Sequence, residues 1–110
     1  MDKLRIEIAS EFTKTPGPRS RTEGEFSGEQ FREEILCEKL EKAFNENVKL
    51  IVNLDGTFGY GTSFLEEAFG GAARIYGAEK MLNHLEFISN EEPYLIDDIT
   101  EYIEDTRSVS

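Results

Sequence analysis

Residues Lys49 to Leu54 read KLIVNL, a short and nearly continuous apolar run closed by Asp55-Gly56. A run of this kind suits a buried strand of a parallel sheet better than a half-exposed one. A glycine-broken loop, Gly56 to Gly61, follows it. Ser63-Phe-Leu-Glu66 then fits a capping box, in which the serine hydroxyl and the glutamate take up two helix-start N–H groups. A core strand therefore delivers two hydroxyls, Thr62 and Ser63, to the mouth of a helix. Helix starts carry partial positive charge and unpaired N–H donors, so an anion or a phosphorylated side chain is favoured there.

The flanking sequence supplies what such a strand needs. Leu4, Ile6 and Ile8 alternate with Arg5 and Glu7, which predicts a strand buried on one face and ending near Phe12. Thr13 to Gly24 carries two prolines, two glycines and two arginines. It reads as a loop, with a short edge strand over Arg21 to Phe26. Pro16-Gly-Pro-Arg19 stiffens the backbone, so Arg19 is either held over something anionic or solvated as an ordinary loop side chain.

Ser27-Gly-Glu-Gln30 is a second capping box, and Phe26 and Phe31 stand at the spacing of a hydrophobic staple. The predicted helix runs from about Gly28 to Phe44, with Leu36, Leu40, Ala43 and Phe44 on one face. Phe31 and Ile35 fall off the centre of that face. In the helix after the loop, Leu65, Ala68, Ala72 and Tyr76 share a side, and Gly77 suits the position just past its end. Gly70 and Gly71 cost about 1 kcal/mol each relative to alanine, so they should admit a close neighbour, either the sheet or a docking protein. Leu85 to Ser89 predicts a further strand. Pro93 fits the first turn of a last helix with Leu95, Ile99, Tyr102 and Ile103 on its core face and Asp97, Asp98, Glu101, Glu104 and Asp105 opposite. Residues 1–106 read as one domain and 107–110 as a frayed tail.

At 110 residues the chain supports one modest core. A formal charge of -11 argues against a nucleic acid partner, which needs a basic face to displace counterions. No apolar run approaches the roughly 20 residues needed to span a membrane, and the N-terminal residues lack the apolar core of a signal peptide, so the expected location is cytoplasmic. The single cysteine, Cys37, excludes an internal disulfide, and one histidine provides no metal-ligand cluster. Gly56 to Gly61 lacks the lysine of a nucleotide-binding P-loop, and no cofactor is implied.

Strand, loop, helix, buried strand, helix, strand, helix is an alternating α/β order. It predicts a small mixed or parallel sheet with three helices, whose ligand sites lie beyond the carboxyl ends of the strands. Three pieces occur together: Pro16-Gly-Pro-Arg19, Ser27-Gly-Glu-Gln-Phe-Arg32 and Gly59-Tyr-Gly-Thr-Ser-Phe-Leu-Glu-Glu67. With the Lys49 strand between them, they make residues Ile6 to Gly77 resemble the STAS-like domain family of unknown function. That family is similar to the STAS anti-sigma-factor antagonists, small regulators that bind a kinase-like ATPase and are phosphorylated by it on a serine at a helix start. The resemblance puts that serine at Thr62, the following serine at Ser63 and a leucine at Leu65. This chain departs from the antagonist pattern at Gly61, Thr62 and Phe64, where the antagonists have aspartate, serine and glycine.

The resulting expectation is a non-catalytic regulatory module that docks on a signalling partner, a kinase-like ATPase by resemblance, through the loop and helix at 56–76. Thr62 and Ser63 are the phosphorylation candidates. Tyr60, Gly61, Phe64, Gly70 and Gly71 are the candidate contacts. Arg19 and Asp55 are candidate anion or ligand groups for the alternative, a small anionic-ligand or nucleotide sensor at the helix mouth. Asp55 equally suits a plain turn before glycine, and Ser63 a plain helix cap. Catalysis would need a base beside the hydroxyls, and neither Glu29 nor Asp55 is demanded by its spacing; His84 lies at the far end of the predicted strand.

Overall fold

The computed structural model describes residues 4–108. Three strands, β1 (Leu4–Glu7), β2 (Leu50–Asn53) and β3 (Leu85–Ile88), form a parallel sheet in the order β1-β2-β3. The register sets Leu4 beside Leu50 and Leu50 beside Leu85, then Ile6 beside Val52 and Val52 beside Phe87. These side chains belong to the core. Arg5, Ile51 and Glu86 share the opposite face; of these only Ile51 is buried, and it lies outside the core cluster.

Among the described residues five helices accompany the sheet: α1 (Ile8–Glu11), α2 (residues 28–46), α3 (residues 62–76), α4 (Ala78–His84) and α5 (Tyr94–Asp105). Three had been expected. The β1 strand stops at Glu7 rather than near Phe12, because the Glu11 carboxylate accepts the Glu7 N–H at 2.8 Å and closes a helical turn. Phe12, half-buried, then packs against the edge of the core. The edge strand expected over Arg21 to Phe26 is instead a 3-10 turn, Arg21–Glu23, held by the Ser20 N–H donating to Glu23 at 3.0 Å. Phe26, at φ 55, adopts the left-handed conformation that breaks any extended run. The short helix α4 has only one strong apolar anchor, Met81, and follows directly on Gly77, whose φ of 98 turns the chain between two helices.

Ser27 caps α2 as expected, accepting the Gln30 N–H at 3.0 Å. The Gln30 side chain reaches back one residue further, to the Phe26 N–H at 3.1 Å. Phe26 and Phe31 are linked through Phe12, whose ring lies 5.5 Å from the first and 5.3 Å from the second.

Both long helices widen into one π-helical turn, at Arg32–Leu36 in α2 and at Glu66–Gly70 in α3. An i→i+5 turn brings residues five apart onto one face. Phe31 with Leu36, and Phe64 with Phe69, are such pairs, and all four are fully buried. This accounts for the misfit of Phe31 in a 3.6-residue pattern.

The starts of α2 and α3 approach at Gly28. A Cβ there would lie 2.5 Å from the Phe64 carbonyl oxygen, a backbone atom that cannot yield without moving α3. At Gly70 a Cβ would meet the far ends of two flexible side chains, Glu66 at 2.8 Å and Arg74 at 3.6 Å. Gly28→Ala should therefore lower thermal stability, by about 1–3 kcal/mol as overpacking does. Gly70→Ala should be neutral or stabilising by up to about 1 kcal/mol from helix propensity. Urea denaturation of both variants checks this, and equal stability would contradict the close approach at Gly28.

Candidate functional site

The loop after β2 is tied down along its length. Leu54 donates to the Ile88 carbonyl at 2.8 Å, which extends the sheet by one bond. Asp55 accepts the N–H groups of Asn90 and Glu91 at 3.1 and 3.0 Å, while Glu91 accepts the Gly56 N–H at 2.8 Å. The loops following β2 and β3 are thus stapled reciprocally at the carboxyl edge of the sheet. The Phe58 N–H donates to the Lys14 carbonyl at 2.8 Å, and the Tyr60 hydroxyl to the Leu54 carbonyl at 2.9 Å. Burial pushes the Tyr60 phenol up to about 12, so it stays protonated and keeps donating. Between these ties Phe58 stands 85% exposed.

Helix α3 begins at Thr62 with Gly61 as its cap residue, and no side chain caps it. Ser63 therefore lies inside the first turn rather than at the cap. The expected Ser63–Glu66 box does not form, because Glu66 is drawn to Arg19 and Arg74. Thr62 and Ser63 are both exposed, side by side, next to the exposed Gly61 and the half-buried Tyr60. Neither hydroxyl makes a hydrogen bond among the described residues.

The other predicted site residues do not join this group. Phe64 is fully buried and packs on Phe31 at 5.9 Å, so it is core and not a contact surface. Gly70 and Gly71 are buried too, and their close neighbours are side chains of this chain rather than a sheet or a docking protein: Glu66 and Arg74 at Gly70, Arg32 at Gly71. Asp55 is engaged by backbone N–H groups and serves the loop staple. Arg19 spends its charge on Glu66 at 2.5 Å and Glu67 at 3.3 Å.

That pairing opens a second feature, which the sequence reading missed. Arg32, Glu67, Arg19, Glu66 and Arg74 form a chain of alternating charge, with Arg32–Glu67 at 3.0 Å and Arg74–Glu66 at 2.8 Å. The missing side chains at Gly70 and Gly71 leave the saddles in which these arginines lie. Arg32 is the most enclosed, with its side chain 13% exposed and its Nε unpaired. The available signal was the order Glu66-Glu67 followed four residues later by Gly70-Gly71: acids one turn before a bare helix surface. Among the described residues no group of three His, Cys, Asp or Glu side chains is placed to hold a metal ion. No helix among them is long and apolar enough to cross a membrane.

A three-stranded parallel sheet with helices packed on it, and an exposed helix start directly after its central strand, is a small α/β domain of STAS-like type. The chain belongs to the family described as STAS-like domain of unknown function (DUF4325), which it matches over residues 27–95. The match runs from the Ser27 cap to the first turn of α5 and includes the loop and α3, while Arg19 and β1 precede it. No curated protein and no solved structure matches the chain.

The Arg74 hydrogen bond, followed by that from Arg19, holds the Glu66 carboxyl below the ordinary glutamate range despite its partial burial. A lowered folded-state pKa adds stability above the unfolded value, and that stability is lost as pH falls through the folded value. The advantage of wild type over Glu66→Gln should therefore be largest near neutrality and shrink from about pH 5 to about pH 3. Melting curves across that range check it. Parallel curves for the two proteins would remove Glu66 as the acid-sensitive member of the network.

Proposed function

We propose that this domain is a non-catalytic interaction module that docks on a protein partner through the 55–61 loop and the first turn of α3. The observation that carries the reading is Phe58, 85% exposed on a loop pinned by hydrogen bonds on both sides of it. An apolar anchor held in place before binding loses little conformational freedom on docking. Thr62 and Ser63 stand beside it, exposed and without a hydrogen-bonded base, as suits hydroxyls that are modified rather than hydroxyls that attack. A phosphate on Thr62 would bring nearly two negative charges to the helix start and change what the docking face accepts. The resemblance of the STAS-like family to anti-sigma-factor antagonists favours a kinase-like ATPase as the partner class. Arg19 is committed to two carboxylates, so the anion-sensor alternative loses the arginine on which it was built.

The test is affinity capture followed by quantitation of every protein retained. A partner bound by the wild-type domain should be lost at least tenfold with Phe58→Ser, the usual effect of removing a buried aromatic anchor. It should also respond to Thr62→Glu and be unaffected by Ile75→Ser, which alters a residue 61% exposed near the other end of α3. Equal recovery by all of these proteins would reject the loop as the docking surface.

A further inference from the structure

The end of α3, the start of α4 and the end of α5 surround an open cleft of about 560 Å³. Its floor, at Ala73 and Gly77, begins about 16 Å along α3 from Thr62 at 1.5 Å per residue, while the Glu66 side chain reaches its rim. The hollow exists because small residues meet there. Ala73 and Ala78 are buried but too short to fill the space, and Gly77 turns the chain with no side chain at all. Tyr102 adds an aromatic wall. A neighbouring hollow of about 530 Å³ shares Gly77, Ala78 and Arg107, so Arg107 stands where the two join. A site of this size with an apolar floor and a few polar groups at its edge has the form of a small-molecule site.

The charges at the rim decide what would enter. Glu66 is engaged by Arg19 and Arg74, and Asp105 has a partner of its own. Arg74 keeps N–H groups beyond the one given to Glu66, because a guanidinium carries five. Arg107 is exposed and makes no ion pair among the described residues, whereas Arg5, Arg19, Arg21, Arg32 and Arg74 all do. Arg107 is therefore the rim cation whose charge no carboxylate among the described residues takes up.

We propose that the cleft binds a small organic anion, a carboxylate or phosphate ester on a flat apolar body. Arg107, helped by Arg74, takes the anionic group, and the body lies on Ala73, Ala78 and Tyr102. The probes are benzoate, phenyl phosphate, inorganic phosphate and benzylamine, followed by amide chemical shifts of the intact domain. Benzoate or phenyl phosphate should move the signals of residues 73–78 and 102–107 saturably, and the stronger of the two identifies the anion. Inorganic phosphate should bind at least fivefold more weakly than phenyl phosphate, because it brings no apolar body. Arg107→Gln should weaken binding at least fivefold while leaving the melting temperature unchanged, as its exposure implies. Benzylamine binding as well as the anions, undiminished binding by Arg107→Gln, or still signals at 73–78 with both aromatic anions would each overturn the assignment. Because Phe58 takes no part, Phe58→Ser should bind the anions normally, which separates this result from that of the docking experiment.

Discussion

The contact on which the architecture depends is the approach of Gly28 to the Phe64 carbonyl, close enough that a single added carbon would lie 2.5 Å from the oxygen. It joins the first turns of two helices 36 residues apart in sequence. Because the backbones meet there, the Phe31 and Phe64 rings lie 5.9 Å apart, and Phe69 and Phe12 close the cluster from either side. One turn further along, the same approach brings Arg32 on α2 against Gly71 and Glu67 on α3. Hydrophobic and ionic contacts between the helices therefore have a single steric origin. Widening it by a methyl group would act on both.

The paired π turns follow from this geometry. Each helix must place two bulky residues on the seam, and in both the pair is spaced by five rather than by three or four. A regular helix would turn the second residue away from the first, whereas an i→i+5 turn lines them up at the expense of poorer local bonding. In α3 the widened turn ends at Gly70-Gly71, where the Glu66–Arg74 pair and the Arg32 guanidinium lie flat against the helix. The glycines that weaken the helix by propensity are thus the ones that let a charged lattice cover it.

What could be read from the sequence was what local chemistry determines. The β2 and β3 strands and the α2 start came through, since an apolar run, a serine cap and a proline act within a few residues of themselves. Tyr60, Gly61, Thr62 and Ser63 lie together for the same reason: they are neighbours in the chain. Some misreadings are local, as where Glu11 takes the Glu7 N–H and ends β1 early, and others reach across the chain. Glu66 had the spacing of a capping partner for Ser63, but Arg19, 47 residues away, and Arg74 compete better for it. Phe64 was offered as a partner contact, but its companion on the core face, Phe69, lies five positions on, outside the period being sought. The helix α4 went unseen because it is only seven residues long and follows Gly77 without a loop.

The use of arginine shapes how a partner would meet this domain. Five of the six arginines are consumed in ion pairs within the chain, and two of these, Arg19 and Arg32, tie the loop before α2 and α2 itself to α3. Pairing leaves the net charge at -11 but moves its unbalanced part to the outside, including the exposed Asp97, Glu101 and Glu104 of α5. Such a field speeds the approach of a basic surface and slows that of an acidic one, more so at low ionic strength. In the proposed docking, Phe58 would then supply the anchor while the field selects the sign of the partner. A phosphate on Thr62 would deepen a potential already negative, so its effect would have to come from contacts at the helix start itself. Release would follow if the partner packs an apolar surface against that turn, and tighter binding if it presents an arginine there.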